Sequence, residues 1–185
     1  EFGMTCNQII KDGFKIDKKI ECLLSSDSAK GIAKSVGLAN ISIADAYEEI
    51  SPDIIMVMGD RFELLAAAQV ALFMKIPIAH ISGGDTTEGA YDESIRHSIT
   101  KMSHIHFVTN KEAYQRVLQL GEDPNFIHNV GSPTIDYIMD TKLIPRNELE
   151  KKLNFKFQKR NILFTYHPVT LNNKKNLNDL KIILN

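Results

Sequence analysis

Four carboxylates, Asp85, Glu88, Asp92 and Glu93, fall within the short run Ser82-Gly83-Gly84-Asp85-Thr86-Thr87-Glu88-Gly89-Ala90-Tyr91-Asp92-Glu93. Like charges this close repel, which costs stability unless a ligand, a histidine or an arginine is brought among them. Gly83 and Gly84 leave room for a ligand to approach the backbone. Arg96 follows Asp92 at i+4, so on a helix both share one face pointing back toward the acidic run, with His97 next to it. An ordinary ion pair from Arg96 to Asp92 or Glu93 explains that spacing equally well. Other polar clusters are Gly59-Asp60-Arg61, Thr109-Asn110, Gly131-Ser132-Pro133 and His167-Pro168-Val169-Thr170. Carboxylates, an imidazole and arginines are the parts of acid/base chemistry.

The elements that must position these residues show in the alternation of apolar runs and amphipathic stretches. Strands are expected at 53–58, 76–81, 105–108 and 126–130, and helices at 62–75, 92–102, 111–120 and 133–139. Upstream, the pattern predicts a helix over 4–11, a strand over 20–24 and a long helix over 28–50 with Asp27 as N-cap. Downstream it predicts a helix over 145–154, a strand over 161–166 and a last helix over 177–184. Because the strand runs are nearly continuously apolar, both sheet faces are expected to be covered, as in doubly wound parallel α/β domains. In such a sheet ligands bind at the carboxyl ends of the strands, and every polar cluster above directly follows a strand. Each alone reads equally well as helix capping or turn chemistry. Together they point to a site, with His167 at a strand end and Pro168 fixing the chain direction behind it.

Several classes of function are disfavoured. Lys plus Arg total 22 against 23 Asp plus Glu, so there is no basic excess for nucleic acid or an acidic membrane surface. The most apolar stretch, 64–74, falls short of a bilayer span and reads as a buried helix. Cys6 and Cys22 form neither a C-x-x-C pair nor a disulfide framework, and residues 1–4 do not resemble a secretion signal, so a cytoplasmic protein is expected. His104 and His106 have no third ligand at a telling spacing, so no metal is expected. His80, inside an apolar strand, reads as a satisfied core histidine, and His128 carries no special signal. No dinucleotide, P-loop or serine-hydrolase signature occurs.

Read in order, Gly59-Asp60-Arg61-Phe62-Glu63, His80-Ile81-Ser82-Gly83-Gly84-Asp85, the run from Asp92 to Lys101, Gly131-Ser132-Pro133 and His167-Pro168-Val169-Thr170 resemble the hydrolysing UDP-N-acetylglucosamine 2-epimerases of sialic and related nonulosonic acid synthesis. The similarity runs from about residue 2 to 170, and five motifs in register are specific as a set. It implies a Rossmann-like doubly wound parallel sheet that is the N-terminal half of a glycosyltransferase-B-type two-domain fold. Residues 1–165 would form that half, its first strand missing, and 166–185 the hinge and the start of the second domain. Such a segment is expected to be inactive alone.

The chemistry implied by the resemblance is elimination of UDP followed by hydration, giving a free N-acetylmannosamine-type sugar, with no metal or other cofactor. Asp60, Asp92 and His167 match the family's catalytic positions, and Arg61 and Arg96 its basic ones; Gly83, Gly84 and Ser132 would contact substrate. Ser82 stands where many members have Glu, and a serine cannot act as a carboxylate base, which leaves that task to Asp85 or Glu88. The expected partners are a UDP-sugar and, by resemblance, further copies of the chain.

Overall fold

The computed structural model describes residues 4–26, 28–166 and 181–184. It forms two compact units, Glu1–Val130 and Gly131–Asn185.

In the first unit, α1 (Thr5–Lys11) and α2 (Ala29–Ile50) precede a run of strand and helix pairs: β1 (Ile55–Met58), α3 (Phe62–Phe73), β2 (Ile78–Ile81), α4 (Tyr91–Met102), β3 (Ile105–Val108), α5 (Lys111–Gln119) and β4 (Ile127–Asn129). The strands lie in the order β1-β2-β3-β4, all parallel. Asp27 lies outside the described residues; Ser28 caps α2, its hydroxyl accepting from the Gly31 amide at 3.1 Å. The buried stripe of α2 includes Ala39, Ile43 and Ala46, spaced for one helical face. Ala39 and Ile43 pack on Ala66 and Val70 of α3, where small side chains let the two helices approach.

The register sets Val57, His80 and His106 abreast on neighbouring strands, on the same face as Ile55, Ile78 and Val108. That face is covered by α3, α4 and α5 through Ala68, Ala71, Ile99, Ala113 and Val117. Right-handed crossovers between strands added in one direction put every connecting helix on one side. The expectation that both faces are covered does not hold at β1, where Met56 and Met58 on the other face are 64% and 60% exposed, while Ala79 of β2 on that face is 2% exposed. A doubly wound sheet reverses direction at a switch point, and these strands represent one side of such a winding.

Two expected strands are absent. Residues 20–24 and 161–166 carry the right side chains but are not in the sheet, and an apolar run without a ladder is not a strand. Ile20 and Cys22 instead pack against the α2–α3 cluster, and the Leu24 amide donates to Ser35 Oγ at 3.0 Å. The second unit holds α6 (Pro133–Asp140) and α7 (Arg146–Leu153). Of the helix expected at 177–184, residues 181–184 are helical and the rest lies outside the described residues.

Candidate active site

The carboxyl ends of β1 and β2 and the first turns of α4 bring together most of the residues singled out in the sequence. Asp60 directly follows the Gly59 turn after β1, and its Oδ2 accepts from Arg96 Nη2, on α4. Arg96 is only 7% exposed. The same guanidinium donates from Nη1 to the Asp85 carbonyl at 2.7 Å and from Nη2 to Thr87 Oγ1 at 2.8 Å. The ion pair anticipated with Asp92 or Glu93 is therefore made with Asp60 instead. One arginine ties the loop after β1 to the loop after β2, a use of its fork that a lysine does not share. Its Nε is buried without a partner among the described residues.

Glu93 closes the loop after β2 from the other side, Oε2 accepting from the Thr87 amide at 2.7 Å. Asp85 turns away from this cluster: its Oδ1 accepts from Thr109 Oγ1 at 2.7 Å and Asn110 Nδ2 at 3.4 Å. Asn110 in turn caps α5 through the Ala113 amide at 2.8 Å. The carboxylate of Asp85 thus latches the loop to the start of α5. Glu88 is exposed at the loop tip.

The two glycines have a packing reason. A Cβ on Gly83 would stand 2.9 Å from His80 Nδ1 and 3.0 Å from Thr100 Oγ1. One on Gly84, at φ +80°, would meet the Ala113 carbonyl at 2.4 Å, while Arg116 Nη1 donates to the Gly84 carbonyl. His80, Thr100 and α5 occupy the space these glycines leave. Ser82 adopts a left-handed φ of 64°, held by its amide donating to the Phe107 carbonyl at 2.9 Å. That conformation costs roughly 1 kcal/mol for a non-glycine residue, so the turn off β2 is fixed by its surroundings.

Asp92 lies in the first turn of α4, partly exposed, and makes no side-chain hydrogen bond to a described residue. Arg61, at the N-cap position of α3, is held by Glu63 through Nε at 3.1 Å and Nη2 at 2.8 Å. Its pKa is raised, chiefly by Glu63, with smaller contributions from Asp92 and Tyr91, so Arg61 feels the negative charge of the α4 start. The corner therefore offers one carboxylate locked to an arginine, one carboxylate without a hydrogen-bond partner among the described residues, and a second arginine, 70% exposed. Such a set can move a proton and hold an anion.

His167 lies outside the described residues. Ser132 sits at the N-cap position of α6 in the second unit. Thr87 and Thr100 were not singled out from the sequence, and Glu93 was read only as one of the four loop carboxylates and a possible partner of Arg96; the signal for Thr100 was its i+4 spacing from Arg96. Among the described residues no group of three His, Cys, Asp or Glu side chains is arranged to hold a metal, and no helix is long and apolar enough to cross a membrane.

Residues 1–185 match the sequence profile of a family described as UDP-N-acetylglucosamine 2-epimerase. A relative from Campylobacter jejuni, named GDP/UDP-N,N'-diacetylbacillosamine 2-epimerase (hydrolyzing), is 45% identical over all of this chain and 48% of its own length. One from Legionella pneumophila, named UDP-N,N'-diacetylbacillosamine 2-epimerase (hydrolyzing), is 36% identical over 91% of this chain and 44% of its own. The chain thus spans about half the length of the curated relatives it matches. Among solved structures, the UDP-GlcNAc 2-epimerase of Neisseria meningitidis bound to UDP-GlcNAc aligns with a TM-score of 0.65 at 24% identity, over 73% of this chain and 37% of that one. A putative UDP-N-acetylglucosamine 2-epimerase of Listeria monocytogenes aligns at 0.68 and 21% identity, over 80% and 40%. These two alignments establish the shared fold.

Proposed function

The chain belongs to the UDP-N-acetylglucosamine 2-epimerase family, and from that premise we propose that the whole protein is a hydrolysing epimerase of nonulosonic acid synthesis. Its substrate would be a UDP-linked 2-acetamido sugar, released as the free 2-epimer with UDP. The names of the relatives at 45% and 36% identity favour UDP-N,N'-diacetylbacillosamine over UDP-N-acetylglucosamine. The same reading takes the enzyme to be cytoplasmic and assembled from several copies, without a metal or nicotinamide.

In this reading a base removes the C2 proton, the C1–O bond breaks with its electron pair leaving on UDP, and a 2-acetamidoglucal remains. Water then adds its oxygen to C1 and C2 receives a proton on the opposite face. The C2 proton is weakly acidic, so the step needs a positioned base and a stabilised leaving group. Asp92, without a hydrogen-bond partner among the described residues, is one carboxylate placed to exchange a proton; Asp60, paired with Arg96, is the other. Asp85 is engaged with Thr109, which leaves Glu88 as the freer loop carboxylate to stand in for the glutamate that Ser82 replaces. By the family resemblance Arg61 and His167 would complete the proposed set, with Ser82 and Ser132 as substrate-binding positions.

The observation that carries this reading is the buried Arg96 joining Asp60 to the loop after β2, one turn from Asp92. The full-length protein, incubated with each UDP-sugar in deuterated water, is expected to release UDP and a free sugar carrying deuterium at C2. Transfer of the sugar to an acceptor, or binding without UDP release, would overturn it.

A further inference from the structure

His80 is fully buried in β2, and its ring lies among three segments that build the proposed site. Nε2 is 2.9 Å from the carbonyl of Gly59, the residue before Asp60. Nδ1 is 3.2 Å from Thr100 Oγ1, on α4, and that hydroxyl lies 3.0 Å from the Arg96 carbonyl. Gly83, the second residue after β2, packs against the ring so closely that a Cβ there would meet Nδ1.

We propose that His80 is a positioning residue, whose ring sets the Gly59-Asp60 turn against the Arg96 turn of α4 so that the Asp60–Arg96 pair is formed before substrate arrives. This rests on the epimerase reading of the site. The hydrogen count fixes how the ring works. A carbonyl only accepts, so Nε2 carries the proton and donates to Gly59. In the neutral ring Nδ1 is then bare and needs a donor, and the Thr100 hydroxyl is the side chain in reach. With one hydrogen to give, that hydroxyl serves Nδ1 and leaves the Arg96 carbonyl to its helical amide partner. Burial pushes the His80 pKa down to about 4, in keeping with a neutral ring at working pH, although Gly59 and Asp60 pull the other way and His106 and Arg96 add to the lowering. The ring therefore makes two directional bonds without bringing a charge into the core, and each bond fixes a backbone segment bearing one member of the pair.

The test uses the full-length protein and steady-state kinetics on the UDP-sugar. His80→Leu and Thr100→Val are each expected to lower kcat by about 10- to 100-fold with KM within about threefold, the scale of a misplaced reacting group. His80→Gln, whose amide nitrogen can reach the Gly59 carbonyl, is expected to recover most of that loss. Variants that fold with wild-type kcat would overturn the proposal, as would a His80→Gln no better than His80→Leu; if His80→Leu does not fold, Thr100→Val decides. Should the wild-type protein fail to release UDP, the epimerase reading falls by itself. The positioning role is then decided by hydrogen exchange in Thr100→Val: faster exchange confined to residues 59–61 and 84–90 supports it, and exchange unchanged there overturns it.

Discussion

His80 and His106 sit abreast on β2 and β3, on the same face of the sheet and both buried, yet their surroundings differ. His80 is bonded at both nitrogens by neutral groups, Gly59 and Thr100. His106 turns Nε2 toward Glu122 at 3.3 Å, and Glu122 is also bound by Lys101 at 2.5 Å, while Nδ1 finds no partner among the described residues. Burial lowers both pKa values, and at His106 the Glu122 carboxylate opposes that lowering. The His80 corner holds geometry with uncharged bonds beside the proposed site. The His106 corner ties the end of α4 to the turn after α5 through charges, and nothing in it touches Asp60 or Arg96. Similar burial thus serves two ends: one histidine orders a site, the other fastens the scaffold.

The sharpest way to break this contrast is at the arginine that depends on the His80 corner. Arg96→Met leaves Asp60 facing a buried gap and frees the loop after β2, so unfolding in denaturant is expected to show a loss of about 4 kcal/mol, with turnover abolished. Next comes acid. His80 has a folded pKa of about 4, below its ordinary 6.5, so the unfolded chain binds the proton first. Stability is then full above pH 6.5 and falls as pH drops toward 4, by about 3 kcal/mol in all. That slope should flatten in His80→Leu, and a melting curve taken across this range checks it. At the neighbouring position, His106→Leu replaces a half-satisfied ring by an apolar side chain and leaves Glu122 on Lys101, so stability should change by no more than about 1 kcal/mol and kcat should stay at the wild-type level. Lys101→Ala, at an exposed end of its ion pair, should cost under about 1 kcal/mol, and added salt should shrink the difference further.

The sheet was legible from the sequence because β1 to β4 are apolar runs bounded by turn residues and separated by helical patterns, and each finds a parallel neighbour. Residues 20–24 and 161–166 share that composition and still form no strand, since a strand is defined by its partner as much as by its side chains. Asp60, Asp92 and Arg96 were legible as chemistry at strand ends, but the choice of partner was not: i+4 spacing pointed Arg96 at Asp92, and the fold gives it Asp60. Gly83 and Gly84 read as room for a ligand, and the room is taken by His80, Thr100 and α5. His80 was read as a satisfied core histidine, and it is one; which backbone satisfies it depends on a contact 21 residues away in the chain. Glu93 was noted as a loop carboxylate, but its bond to the Thr87 amide was not legible, because an amide-to-carboxylate bond within a loop has no sequence signature of its own.

The central claim is that the corner built from Asp60, Asp92 and Arg96 performs the chemistry. Turnover of the UDP-sugar by full-length Asp60→Asn and Asp92→Asn, with UDP binding measured alongside, tests it most directly. The account predicts that each variant folds, still binds UDP and loses about 100-fold or more in turnover, the scale of a lost general acid or base; near-normal turnover in both would contradict it.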